Sequence, residues 1–169
     1  FLTKGKLNMQ MGLNEFSANE IVNDFDQSSL SKIFYSFGDE KKANNIARKI
    51  ISFRKSKNIE TQDLVKIIDS VYRKKFKKIH NSTKVFQALR IFVNKEISEL
   101  IDSLISSFKL LPKGGVIVVV SFHSIEDKIV KYFFHHYSQN KNSSRYLPEK
   151  ETKKILFNLP QKKPLIPEK

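Results

Sequence analysis

Residues 116–128 read VIVVVSFHSIEDK. Five β-branched residues run together and then give way to Ser-Phe-His-Ser and an acidic pair. The run is short, lacks apolar–polar alternation and follows Lys113-Gly114-Gly115, which predicts a strand covered on both faces. Beyond it, Ile125, Ile129, Val130 and Phe133 recur at helical spacing, so strand passes to helix within a few residues. In parallel α/β sheets, ligands collect at the carboxyl ends of strands, where helices begin. Ser121, His123, Ser124, Glu126 and Asp127 are expected at that edge. Two readings of the cluster stand side by side. In one, Ser124 caps the helix while Glu126 and Asp127 complement its dipole. In the other, the cluster is a site, and His123, which has no capping role on this reading, favours it.

Upstream of the apolar run, residues 83–111 read as one long helix, with Val85, Leu89, Phe92, Val93, Leu100, Leu104 and Phe108 as its main stripe. The segment PKGG (112–115) ends it. Helix, strand and helix make a piece of an α/β sheet, but one strand is not a sheet, so its companions are expected outside this chain. Residues 138–169 are polar and basic with four of the five prolines, an extended tail in which KILFNL (154–159) suits a short edge strand.

The first half has a different character. Residues 1–15 carry two of the five glycines and no helical stripe, and read as a loop. Ser17 and Glu20 form the capping box S-x-x-E, with Phe16 placed to staple onto Ile21. Leu30, Ile33, Phe34 and Phe37 mark a second helix closed by Gly38. Asp39 is expected to cap a third, which turns Ala43, Ile46, Ala47 and Ile50 inward and Lys41, Asn45, Arg48, Lys49 and Ser52 outward. Thr61 is expected to cap a fourth, with Leu64, Ile67, Ile68 and Val71 on its inner side. Residues 73–82, RKKFKKIHNS, form a basic loop. Residues 16–76 are thus predicted to be helical only.

Thirty-one Lys and Arg face seventeen Asp and Glu, a formal charge of +14 that suits a polyanionic partner. A Lys-, Ile-, Asn- and Phe-rich composition also follows from biased base usage, so charge supports nucleic acid without proving it. The absence of Cys excludes disulfides and thiolate-bound metals. No apolar stretch is long enough to span a bilayer and residues 1–15 do not form a signal peptide, so the expected location is the cytoplasm. A start at Phe1 and an end on Pro-Glu-Lys suggest a fragment.

Gln87, Arg90 and Asn94 share one face of the long helix at i, i+3 and i+7. Ile91 and Ile101 lie on the same side, so the helix is apolar nearly all round and is expected to be enclosed. An enclosed Gln, Arg and Asn need partners; a base edge or a phosphate would serve, and a solvated polar face is the plain alternative. Gly-rich phosphate loops, H-E-x-x-H and G-x-S-x-G are absent. Adjacent His135 and His136 fall on different helix faces, which argues against joint metal ligation, and no metal is expected. Phe34, Tyr35 and Phe37 fit core spacing better than a base-stacking platform.

FQALRIFVN (86–94), PKGGVIVVVSFHSIEDKIVK (112–131) and FGDEKKANNIARKI (37–50) together resemble the bacterial 16S rRNA (cytosine-N4)-methyltransferases, the RsmH/MraW type. GKLNMQM (5–11) is similar to that family's G-P-L-D-M-R-M loop, with Lys6, Asn8 and Gln10 where the family pattern has Pro, Asp and Arg. The resemblance implies a partial Rossmann-like, S-adenosylmethionine-dependent methyltransferase domain of α/β class interrupted by an all-helical insert. Residues 1–12 would be a loop of the catalytic domain, 13–80 the insert that recognises RNA, 81–137 the returning catalytic domain and 138–169 a basic tail. The family's cofactor loop precedes the G-P-L-D-M-R-M motif, so no cofactor-binding residue is expected in this chain, and the chain alone is expected to be inactive.

The resemblance further implies methyl transfer to the exocyclic amine of a cytosine in 16S rRNA, with that RNA or the small ribosomal subunit as partner. Such an amine is a poor nucleophile, and the base must leave its stack. Asn8, Ser121, His123 and Ser124 become candidates for the chemistry. An Asn orients an amine through its carbonyl oxygen but does not take up a proton as a carboxylate does. Gln10, Gln87, Arg90, Asn94, Phe122, Glu126 and Asp127 become candidates for substrate binding. Lys41, Arg48, Lys49, Arg73, Lys74, Lys75, Lys77 and Lys78 are candidates for phosphate contacts. Two other classes remain: a non-catalytic RNA-binding fragment, and a helical DNA-binding module, which has no use for the apolar run.

Overall fold

Ser17 starts the first helix as its pattern requires. Its Oγ meets the Glu20 N–H at 3.3 Å, while the Glu20 carboxylate accepts from the Ser17 N–H at 2.7 Å. Two of the otherwise unpaired N–H groups at the helix start are thereby satisfied. The computed structural model describes residues 6–12, 14–72, 80–138, 158–160 and 165. Among them are seven helices: α1 (Ala18–Asp24), α2 (Gln27–Gly38), α3 (Ala43–Phe53), α4 (Thr61–Val71), α5 (Thr83–Val93), α6 (Glu96–Leu110) and α7 (Ser124–Ser138). The chain divides into two compact units, Phe1–Glu99 and Leu100–Lys169.

In the first unit α2 is the hub, packing on α3 and α5, while α4 lies on α3 and α1 touches both α5 and α3. Leu30, Ile33 and Phe34 of α2 are buried with Ile46 and Ile50 of α3, Leu64 and Ile68 of α4, and Val85 and Leu89 of α5. Leu7 joins the same core, so the 6–12 loop is anchored by an apolar side chain. A row of rings, Phe16–Phe25–Phe92, meets edge to face with centroids 5.3 and 6.0 Å apart. The ring contact of Phe16 is therefore with Phe25. Arg54 donates to the carbonyls of Phe25 at 2.7 Å and Val22 at 3.3 Å, placing a cation on the orphan acceptors that end α1.

Three caps differ from expectation. Asp39 does not start α3; it ends α2 in the left-handed region (φ 49°), and α3 begins only at Ala43. Gly38 is still helical, and its lack of a side chain serves packing: a Cβ there would stand 2.4 Å from the Lys84 carbonyl oxygen of α5. Glu60, not Thr61, is the N-cap of α4; its N–H donates to Asp63 at 3.3 Å, and Thr61 is the first helical residue. Ser124 is likewise the first residue of α7 rather than its cap.

The single helix expected over 83–111 is two. Lys95 adopts φ 51° between α5 and α6, and Arg90 crosses the break to Glu96. Six residues apart on a straight helix these two side chains would point about a third of a turn apart and lie about 9 Å apart along the axis; the break lets them meet. Enclosure also stops there. Val85, Phe86, Ala88, Leu89, Ile91 and Val93 of α5 are buried, whereas Leu104 is the one buried residue of α6, with Ile101, Ile105 and Leu110 exposed.

In the second unit, PKGG forms a tight turn. Gly114 takes φ 86° and the Gly115 N–H donates to the Pro112 carbonyl at 2.9 Å. Val116–Val120 follow, but not as a strand: no described residue is in a β-ladder, and the architecture seen is helical only. The segment nevertheless alternates as an extended chain does. Val116, Val118 and Val120 are 79, 83 and 73 % exposed, and Ile117 and Val119 are half-buried. A strand is a pairing rather than a property of one segment, and β-branched residues alone do not supply backbone partners. Phe108 stacks on Tyr137 (centroids 6.2 Å apart), joining α6 to α7 within this unit. The KILFNL segment (154–159) and the basic stretch 73–78 fall almost wholly outside the described residues.

Candidate functional site

The 6–12 loop is fixed at both ends. The Asn8 carbonyl accepts from the Ala18 N–H at 2.8 Å, tying the loop to the start of α1, and the Gln10 amide donates to the Asn14 carbonyl at 3.0 Å. Asn94, which ends α5, holds the far side. Its Nδ2 donates to the carbonyls of Met9 and Arg90, both at 2.9 Å. Its Oδ1 accepts from the Met11 N–H at 2.8 Å and from Asn14 Nδ2 at 2.9 Å. The partners fix the amide's orientation, because carbonyls only accept and an N–H only donates. Asn94 is thus engaged on every side, and the direct substrate contact expected of it has no free donor to use.

The side chain of Asn8 makes no hydrogen bond among the described residues, and the residue is exposed. It lines an open groove of about 890 Å³ together with Lys6, Gln10, Ser17, Asn58 and Glu60. Gln87 is half-buried without a side-chain hydrogen bond among the described residues. Arg90 is not free: Nε and Nη2 bind the two Glu96 oxygens at 2.8 and 3.0 Å. That bidentate fit is the one a phosphate or carboxylate ligand would otherwise occupy.

In the second unit, His123 is the N-cap of α7. Its Nδ1 accepts from the Glu126 N–H at 3.3 Å, and Glu126 Oε2 accepts from the N–H groups of Phe122 (2.8 Å) and His123 (3.3 Å). This is a capping box with an imidazole in the place usually held by a hydroxyl. Accepting at Nδ1 puts the proton of the neutral ring on Nε2. Nε2 is buried and lies 3.3 Å from Glu126 Oε1, outside hydrogen-bonding geometry. The capping role denied to His123 on sequence grounds is therefore real. Asp127 pairs with Lys131 at 2.7 Å one turn along the helix. Ser121 and Ser124 make no side-chain hydrogen bond among the described residues, and the Phe122 ring is 89 % exposed.

Arg48, on the outer face of α3, and Lys41, in the turn before that helix, are exposed. Lys49 instead pins α3 to the end of α4, donating to the Ser70 hydroxyl at 2.8 Å and carbonyl at 3.1 Å. Arg73, Lys74, Lys75, Lys77 and Lys78 lie outside the described residues. Two participants escaped sequence reasoning. Glu96 has no helical spacing to Arg90, and Asn14 sits in a segment without periodicity; only the break at Lys95 and the fold of the loop bring them in.

A family model described as the MraW methylase family matches residues 1–169. The chain belongs to this family. It is 45 % identical over 168 residues to the ribosomal RNA small subunit methyltransferase H of Sinorhizobium medicae, covering 98 % of this chain and 49 % of that protein. The proteins of the same name from Chelativorans sp. (strain BNC1) and Rhodopseudomonas palustris (strain BisA53) are 42 and 39 % identical. These alignments cover 96 and 99 % of this chain, and 48 and 51 % of the relatives. The chain therefore spans about half the length of the curated relatives it matches. No helix among the described residues is long and apolar enough to cross a membrane.

Proposed function

We propose that the whole protein to which this chain contributes transfers a methyl group from S-adenosylmethionine to the exocyclic N4 amine of a cytosine in 16S rRNA. The family match along the full chain supports this reading, as does the name of the relatives, which describes them as methyltransferases of small-subunit ribosomal RNA. In this reading Val116–Val120 becomes a strand of a Rossmann-like sheet once neighbouring strands are present, which accounts for three valines left facing outward.

The described residues do not offer a cradle for the cofactor. The paired glycines sit at the amino end of the apolar run, and at Gly115 the space for a Cβ is already filled by Leu111, 2.6 Å away. We assign the cofactor's main contacts to other parts of the whole protein and route no step through it. This chain's residues act on the base and its backbone. In the first unit, Asn8 offers Oδ1 to an amine hydrogen and so orients the nitrogen lone pair. In the second, the Ser121 and Ser124 hydroxyls are acceptors for the same class of donor, and Phe122 offers a ring face for an unstacked base. Lys41 and Arg48, with the basic residues 73–78, hold phosphates. Glu126 and Asp127 serve the turn and α7 rather than the substrate.

The test is transfer of labelled methyl groups by the whole protein to small ribosomal subunits that lack the modification. Label entering the subunit's RNA, and lost in Asn8→Ala and Phe122→Ala proteins that melt normally, supports the reading. Label entering DNA, or none, contradicts it.

A further inference from the structure

We propose that Asn94 is a positioning residue: it sets the conformation of the 6–14 loop, and thereby the place of Asn8, without touching substrate. Three observations converge. All donor and acceptor capacity of its amide is spent on Met9, Arg90, Met11 and Asn14 at 2.8–2.9 Å. Two of these partners are backbone groups of the loop itself, on either side of Gln10. Met9 is held at φ 63°, a conformation an unbranched non-glycine side chain seldom adopts and which needs external support. The Met9 carbonyl and Met11 N–H are the groups that Asn94 holds, so it fixes the backbone directly around this strained residue.

The platform is rigid in its turn. Asn94 closes α5 and its own N–H donates to the Arg90 carbonyl at 3.0 Å. The reversal at Lys95 (φ 51°) is clasped by Arg90 and Glu96, the first well before it and the second directly after it.

The catalytic half of this inference rests on the proposed methyl transfer, whereas the structural half does not. Asn94→Ala and Asn94→Asp are compared with wild type in the whole protein, by amide hydrogen exchange and by steady-state methyl transfer. Asn94→Asp keeps the acceptors for Met11 and Asn14 but turns a carboxylate oxygen toward the Met9 and Arg90 carbonyls. For Asn94→Ala we expect protection of the Met11 amide to fall at least tenfold while amides of α2 and α3 keep theirs. kcat should fall in both variants with the KM for ribosomal subunits within about twofold of wild type, and Asn94→Asp should retain part of the Met11 protection. A raised KM with unchanged Met11 protection would make Asn94 a substrate contact and overturn the proposal. Equal loss of protection in α2 and α3 would reduce it to general stability and overturn it too. A wild-type protein that transfers no methyl group would sink the proposed function, and the exchange pattern would then decide the loop role alone.

Discussion

The Glu40 carboxylate is buried, and it is held by the Tyr72 hydroxyl at 2.6 Å and the Lys42 N–H at 2.8 Å. The Lys42 ammonium stands 4.1 Å over the Tyr72 ring. Burial, with the Glu40 carboxylate beside it, pushes the Tyr72 phenol well above its ordinary value of 10.0. A raised folded value means that stability is fully present below pH 10 and is lost as alkali ionises the phenol of the unfolded chain first. Tyr72→Phe is expected to cost about 1–3 kcal/mol at neutral pH, the penalty for removing a bond to a buried charge. It should also flatten the decline in stability above pH 10. Thermal melts of both proteins at pH 7 and 10.5 check the two effects, and a parallel alkaline decline would assign it elsewhere. At the acid end, the hydrogen bond from the Lys57 ammonium holds the Asp63 carboxyl below the usual carboxylate range. Its contribution is present above pH 4 and disappears as acid protonates it.

His123 separates structure from chemistry within one side chain. Ser is a better N-cap than most residues, so His123→Ser should keep α7 capped, while His123→Ala should lose about 1 kcal/mol. If the imidazole serves methyl transfer in the whole protein, both substitutions lose activity although only Ala loses stability. Activity preserved in His123→Ser would leave capping as its whole role.

At the scale of elements, close approach decides what the hydrophobic pattern leaves open. A Cβ at Gly38 would meet the Lys84 carbonyl oxygen at 2.4 Å and Ala88 Cβ at 3.2 Å, so α2 and α5 must separate in Gly38→Ala. We expect a loss of about 1–3 kcal/mol, against the gain that Ala normally brings to a helix; urea unfolding measures it, and a gain would mean that the two helices yield freely. The periodicity of α2 to α4 was legible because each helix has one apolar stripe and a polar opposite face. The ends were less so. Asp39, Lys42 and Glu60 are all polar residues near helix starts, and which of them caps depends on the turn between helices. The break at Lys95 was invisible for a related reason: its left-handed backbone carries no sequence signal, and the stripe continues in phase from Val93 to Leu100 and Leu104. Val116–Val120 shows the opposite limit, where composition demands a strand and the described residues provide nothing to pair with it.

At the scale of the whole molecule, the family was legible in four separated motifs, whereas the site was only partly so. Asn94, Arg90 and Glu126 are functional types at suggestive spacings, yet each is spent on internal bonds that become visible only with coordinates. RNA binding is expected to rest on phosphates, since exposed Lys41 and Arg48 and the Lys runs offer charge rather than paired base-edge readers. Affinity for rRNA fragments should fall steeply with salt and depend weakly on sequence, as titrations at 50 and 200 mM salt would read. Salt-insensitive, sequence-selective binding would count against it. The central claim concerns the position of one methyl group. The most direct measurement is nucleoside mass spectrometry of 16S rRNA after reaction of the whole protein, isotopically labelled S-adenosylmethionine and unmodified small subunits. The account predicts label on the N4 amine of a cytosine at one site; label on ring carbon, on ribose, or on no nucleoside of the small-subunit RNA would contradict it.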